Sequence, residues 1–530
     1  MNDIVLKSIK SENIKDIKKK ITEWVEPNIK HECIIFAIKN CKKISTIKYI
    51  NKYMESKYDI NSKSEQLLEI ACYYSLNLEI IKYFEKMNKG KKFEELYGED
   101  FLLKIFLENI NLITIKYLIN EKKMDINKTT KSNDNCLTLA CKKQNFEAIK
   151  YLINETDIDT NIKNNSNENA LLICFKQSVL NYEIIKFLIT RTRIDINITD
   201  KDGYNCLFYA CSNGTIEIVK LLIKYNININ HKLEDNSNCL IHAFRYSNNL
   251  EVIKYLINSE KIYAYATTCH NNDGLIFACY ENQKLEKIKY LINELNFSVN
   301  KTNNFGRNAL LECFNGKTKL NHENIKYLIT ETDVDINIID ENKYNCLLYA
   351  CSKKDITLEI IKLIVEKNVN LYATTKDGDN CLLLACKYVN NIEIIKYFIE
   401  EKKMNIYIQN NQKNNCMLFA CCNQNLEIIK YLVEEKNMDL GYKNIINTNC
   451  LLMACEYNKN IKIIEYLIEN SEINIYDTNS NDENCLMILA RANGEIEFFD
   501  YLIEKQKMSL TEQNINGKNA LYYAAEYIKC

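Results

Sequence analysis

The chain has 530 residues, more than one compact core accretes, so it either divides into domains or extends as a stack. Lys and Arg number 69 against 70 Asp and Glu, and only five of the basic residues are arginine (Arg191, Arg193, Arg245, Arg307, Arg491), which disfavours a polyanion or nucleic-acid binder. No stretch reaches the roughly 18 apolar residues of a membrane span, and one proline (Pro27), 11 glycines and no Ser/Gly-rich linker give no support for separate globular domains.

At the amino end, "MNDIVLKSIKSENIKDIKKKITEW" holds no continuous apolar run, so no signal peptide is read there. With 23 cysteines and no export signal, free thiols in a reducing, intracellular (cytoplasmic) compartment are expected. Residues 1–31 read as a degenerate amino-terminal capping repeat. Beyond them one phrase recurs: "NCLTLACKKQNFEAIKYLIN" from Asn135, "NCLFYACSNGTIEIVKLLI" from Asn205, "NCLLLACKYVNNIEIIKYFIE" from Asn380, "NCMLFACCNQNLEIIKYLV" from Asn415. Anchored on the first residue of that phrase, the repeats begin at 32, 66, 100, 135, 169, 205, 238, 273, 308, 345, 380, 415, 449, 484 and 519, with steps of 33 to 37 residues. Such a period marks a stacked-repeat architecture. Residues 32–518 are read as about fourteen consecutive repeats, and 519–530 as a truncated carboxy-terminal capping helix.

Within a unit, a turn such as "TDKDGYN" (Thr199 to Asn205) precedes a short apolar helix. Asn205 is the expected N-cap, with Leu207, Ala210 and Cys211 on one face. A second helix, "IEIVKLLIK", is expected to turn Ile216, Val219 and Leu222 or Ile223 inward and Glu217, Lys220 and Lys224 outward. An extended piece such as "DINI" at Asp195 leads to the next turn, where Asn stands at positions that require φ > 0.

"DINITDKDGYNCLFYACSNGTIEIVKLLI" (Asp195 to Ile223) resembles the ankyrin repeat. Its dialect, Asn-Cys where the family has Thr-Pro, is similar to the ankyrin-repeat families of giant DNA viruses of amoebae. The resemblance implies a curved, elongated all-α repeat solenoid of helix-turn-helix pairs with short β-hairpin loops. Stacked at about 10 Å per repeat, it would be on the order of 150 Å long. The family's fourth-position His is missing (Thr138, Phe208, Leu348 and Leu383 stand there), so its bond to the hairpin is expected to be absent. Viral members of the family often carry an F-box or BTB domain; neither terminus leaves room for one, and recruitment to a ubiquitin ligase is not expected.

No nucleotide, zinc-protease or serine-hydrolase motif occurs. Cysteines five apart on a helix point about 140° apart, and equivalent cysteines of adjacent repeats are expected about 10 Å apart, so metal binding and disulfides are both disfavoured. Cys269-His270 are loop neighbours, not a dyad. No catalysis, cofactor or metal is expected.

What varies within the constant frame is where recognition would be written. The two positions after the Ala-Cys pair read Arg245-Tyr246, Tyr280-Glu281 and Lys387-Tyr388, with Tyr457 completing a fourth pair. Turn tips offer Tyr204, Phe305, Tyr344, Lys376 and Asp377. In the family these positions line the concave face. The expectation is a monomeric protein-interaction scaffold or adaptor with an unidentified protein partner, a host protein in the host cytoplasm if the source is viral, and no nucleic acid or membrane. The alternative is a structural or self-assembling component of a viral particle or assembly site.

Overall fold

In the computed structural model, residues 3–24, 30–55, 64–88, 91–108, 111–213, 215–258, 262–316, 319–470, 473–492 and 494–527 are described. Pro27 and Cys530 lie outside them, as do parts of the expected amino-terminal cap (1–2 and 25–29) and the end of the expected carboxy-terminal helix. The fold is an all-α repeat solenoid. It forms two compact units, Met1–Glu234 with Glu251–Ile262, and Asp235–Leu250 with Tyr263–Cys530.

Each repeat is a helix pair, such as Cys136–Lys142 with Phe146–Glu155 in the first unit and Cys346–Cys351 with Leu358–Glu366 in the second. First helices are buried almost all round. From Cys346 to Cys351 every residue is inside, because neighbouring first helices lie on either side. Second helices bury one stripe. In Ile216–Lys224 that stripe is Ile218, Val219, Leu221 and Leu222, while Ile216 and Ile223 are half-buried. Val219 and Leu222 face inward as expected, while Ile218 and Leu221 are buried in place of Ile216, because the helix packs against both its own first helix and the preceding second helix.

The recurrent Asn does more than cap. In the repeats anchored at 135, 169, 308 and 345 its Oδ1 accepts from the N–H three residues on at 2.9 to 3.0 Å. The Nδ2 of the same amide donates to a carbonyl of the extended piece that leads to the next turn: Asn135 to Asp159 at 3.0 Å, Asn169 to Asp195 at 2.9 Å, Asn308 to Asp335 at 3.2 Å and Asn345 to Asn370 at 3.2 Å. Thr can cap with its hydroxyl oxygen but lacks the separate amide nitrogen, set apart from the capping oxygen, that reaches the second carbonyl. A second amide, eight residues before the anchor, clasps the next backbone from both sides: Asn300 Nδ2 donates to Asp333 O at 3.0 Å, and Asn300 Oδ1 accepts from Asp335 N at 2.6 Å.

The open carbonyl end of the first helix is also satisfied from the next repeat. Asn423 Nδ2 donates to Cys386 O at 3.1 Å and Val389 O at 2.8 Å; Asn458 Nδ2 donates to Cys421 O at 2.9 Å and Asn423 O at 2.7 Å. Lys287 plays that part against helix Cys239–Tyr246, donating to Phe244 O at 3.2 Å, to Gln283 Oε1 at 2.8 Å and to Ser247 O. It occupies a core position filled by Ile360 and Ile394 in other repeats, and burial pulls its ammonium down to about 7.

The turns differ from the expected β-hairpins: no β-strand is formed among the described residues. Each turn closes on itself, as where Asp340 N donates to Tyr344 O at 3.0 Å, and meets its neighbour through single backbone bonds such as Glu341 N to Phe305 O at 3.0 Å. The turn's own side chain takes the remaining N–H groups, Asp340 Oδ1 accepting from Asn342 N and Tyr344 N at 2.9 Å, which leaves none for a ladder. From the repeat anchored at 135 onward, the residue two before the anchor has φ > 0: Asn133 (+62°), Asn167 (+62°) and Asn447 (+57°), but also Lys343 (+64°) and Lys413 (+59°).

Second helices are linked by a tyrosine rail. Tyr151, Tyr327 and Tyr431 are buried, and their hydroxyls donate to Asn120 at 3.0 Å, Asn293 at 3.2 Å and Glu400 at 2.9 Å of the preceding repeat. The preceding repeat's lysine lies over the ring: Lys220 over Tyr255 at 5.4 Å and Lys362 over Tyr397 at 5.1 Å. Lys220 and Lys362 are therefore not merely solvated outer charges.

Candidate functional site

First helices run out of burial after their Cys, so the seventh and eighth residues past the anchor emerge at the helix end. The eighth is the exposed one: Tyr246, Tyr388 and Tyr457 show 40%, 41% and 52% of their surface. The seventh turns back onto the turns. Lys142 Nζ meets Asp134 at 2.6 Å, Lys176 meets Glu168 at 2.7 Å and Asp200 at 3.3 Å, and Arg491 meets Glu456 at 3.4 Å. Arg245 Nε holds Glu281 at 2.8 Å and its guanidinium stacks 4.8 Å from Tyr246 and 5.0 Å from Phe277. Arg245 and Glu281 thus satisfy each other, although the sequence offers both as free recognition groups.

The missing His has a substitute one position later. Tyr209 donates to Asp200 Oδ2 at 2.6 Å and Tyr349 to Asp340 Oδ2 at 2.7 Å, while Asn303 Nδ2 donates to Glu312 at 2.8 Å. The tether between turn and helix is present, against expectation, and runs from the fifth residue. These bonds, with burial as the larger cause, push the Tyr209 and Tyr349 hydroxyls well above the usual tyrosine range.

The expected site residues gather in two grooves of the second unit. Arg245, Tyr280 and Phe305 line one with Arg307, which reaches Asp340 at 3.2 Å; Tyr246 and Glu281 adjoin it. Asp377, Lys387 and Tyr457 line the other, whose floor is Phe419 and whose rim includes Ile446. Lys387 Nζ lies 5.1 Å from the Tyr388 ring and 5.0 Å from Phe419. Tyr344 packs 4.9 Å from Tyr349, and burial pushes its hydroxyl to about 12, with Tyr388, Asp379 and Asp377 adding to the effect. Lys376, exposed at its turn, reaches Asn342 Oδ1 at 3.3 Å. Tyr204 belongs to the other unit and packs 5.5 Å from Phe208.

Sequence reading missed Phe419, Ile446, Gln412 and Thr448 in the second groove. They sit at helix-one and turn positions of the two following repeats, so each looked like filler in its own unit. It also missed Tyr372, Tyr407 and Tyr476, exposed by 78%, 64% and 49%. Each stands eight residues before its anchor, where Asn161, Asn300 and Asn337 tie repeats elsewhere; the signal was that substitution.

No disulfide joins the described cysteines, and all but Cys269 and Cys422 are buried. Thiols nevertheless come close enough to influence each other across repeats: Cys386 with Cys416, Cys421 with Cys450, and Cys455 with Cys485. The diagonal from the end of one first helix to the start of the next is shorter than either spacing considered. The interaction with Cys416 and burial raise the Cys386 thiol far above its usual range, which keeps it a thiol. Among the described residues no three of His, Cys, Asp and Glu are placed to hold one ion, and no helix is long and apolar enough to cross a membrane.

A search of curated proteins finds no match. A family model described as ankyrin repeats (3 copies) matches residues 103–200, 177–268, 275–374, 318–410, 347–444 and 451–530. These segments cover well over half of the sequence and coincide with the helix pairs, turns and cross-repeat amides described above: the chain belongs to the ankyrin-repeat family.

Proposed function

We propose that the protein is a non-enzymatic scaffold or adaptor that binds another protein on the face formed by its first helices and turn tips. The observation that carries this reading is the exposure of Tyr246, Tyr388 and Tyr457 at one position of a frame otherwise devoted to internal bonds. Tyrosine is enriched at interface centres, whereas the Glu and Lys of the second helices are depleted there. The frame holds these rings on rigid helices, so little conformational entropy is lost on docking. Cysteines without disulfides among the described residues fit a reducing compartment.

Proximity labelling in the native cell identifies the partner, and direct titration then ranks the surface. Ala at Tyr246, Tyr280 and Tyr388 is expected to weaken binding at least tenfold. Charge reversal at Glu217 and Glu359 is expected to change it little. The opposite ranking would move the interface to the second helices. If light scattering shows ordered assemblies that the tyrosine variants disperse, the protein is a self-assembling structural component instead.

A further inference from the structure

The two grooves differ in charge balance. Around Arg245 and Arg307 every charge is answered internally, by Glu281 at 2.8 Å and by Asp340 at 3.2 Å with Glu312 at 3.8 Å. The groove at Lys387 is not balanced. Asp377, Asp379 and Glu456 line it against that single ammonium. Glu456 is engaged by Arg491 at 3.4 Å, and Asp379 accepts from Asn410 Nδ2 at 2.8 Å. Asp377 is exposed, and its carboxylate has no ion pair among the described residues. Lys387 is drawn onto the Tyr388 and Phe419 rings, and Lys376 is directed to the preceding turn, so neither neutralises Asp377.

A second observation is independent of charge. Thr448 is 3% exposed and lines this groove, and among the described residues no hydrogen bond engages its hydroxyl, while its backbone N–H is held by Asn444 Oδ1 at 2.9 Å. Beside it Ile446 is half exposed at the rim and Tyr457 shows an open ring face. The groove encloses about 190 Å³, below the roughly 300 Å³ at which small-molecule sites begin, and matches one long side chain rather than a metabolite.

We propose that this groove seats a basic side chain from an extended segment of the partner protein, followed by an aliphatic one. The cation sits at Asp377 against the Tyr457 ring, where charge and cation–π attraction act together. The Thr448 hydroxyl takes a backbone group of the segment, and the aliphatic side chain covers Ile446. The inference rests on the scaffold reading and adds to it the chemistry of what is bound.

The test pans a phage-displayed library of random dodecapeptides on the full chain and measures enriched peptides by fluorescence anisotropy. The expected peptides share Lys or Arg followed within two residues by Leu, Ile or Val. Their affinity should fall at least tenfold for Asp377→Lys and for Tyr457→Ala, and less than twofold for Tyr280→Ala in the other groove. It should also weaken between about 50 and 300 mM salt. Asp377 and Tyr457 are exposed, so both variants keep the fold, and Asp377→Asn gives a gentler version of the first. Enriched peptides that lack a basic residue, or that bind Asp377→Lys as they bind wild type, overturn the groove assignment. If those peptides lose affinity for Tyr280→Ala, the scaffold reading survives at the other groove. No enrichment on any part of the chain overturns both.

Discussion

The double duty of the anchor amide can be separated by substitution at Asn345. The side chain is 1% exposed, its Oδ1 receives Leu348 N at 2.9 Å, and its Nδ2 reaches Asn370 O at 3.2 Å. Asn345→Thr keeps the cap and removes the amide donor that ties it to Asn370, ahead of the next turn. A hydrogen bond of this kind contributes about 0.5–1.5 kcal/mol net, so the loss should be about 1 kcal/mol. Asn345→Ala removes the cap as well, worth about 1 kcal/mol more, for about 2 kcal/mol in all. Asn345→Asp keeps the cap but sets a carboxylate oxygen against a carbonyl; its deficit of about 1–2 kcal/mol should shrink at low pH, where the protonated acid donates. Urea titration gives the totals. Amide exchange by mass spectrometry locates them, because contacts in a stack are nearest-neighbour and losses stay local. In Asn345→Thr, protection should drop around Asn370 while helix Cys346–Cys351 keeps its own. If Thr matches wild type and Ala loses only the cap, the amide is a cap and nothing more.

Lys343 and Lys413 occupy left-handed backbone at φ of +64° and +59°, a region unfavourable to a side chain by about 1 kcal/mol. Gly at either should raise the urea midpoint, whereas Gly378→Ala, at φ +82° with Asn411 N 3.0 Å from the added carbon, should lower it. Lys287, pulled to about 7 by burial, makes stability depend on pH with a definite sign. Between pH 7 and 9 the unfolded chain keeps this proton and the folded chain sheds it, so stability of this repeat rises with pH; Lys287→Met should remove that slope in urea titrations. Maleimide labelling of native protein should mark Cys269 first, since the other described thiols are buried or, at Cys422, half-buried and pushed by burial to about 12. All 23 should react once denatured without reductant; a protected pair in fresh protein would show that a cross-repeat disulfide forms.

The sequence by itself determined the period, the helix pair, the Asn cap and the turn residues with φ > 0. Each of these is a local choice, made within one unit and repeated often enough to read. Asn205 and Leu207 needed no neighbour to be placed.

Tertiary structure decided whatever depends on the next repeat. The second bond of Asn345, the carbonyl caps from Asn423 and Lys287, and the thiol contact of Cys386 with Cys416 all join residues 25 to 43 apart. Nothing in either unit alone marks them. The same holds for the site: Arg245 reads as a free cation until Glu281 of the next repeat is seen against it, and Asp377 reads as one turn residue among many until Lys387 is found drawn away onto Phe419. Periodicity writes the frame, because each unit must bury the same faces. Charge balance and exposure are settled between units, where stacking brings together side chains that the chain itself keeps apart.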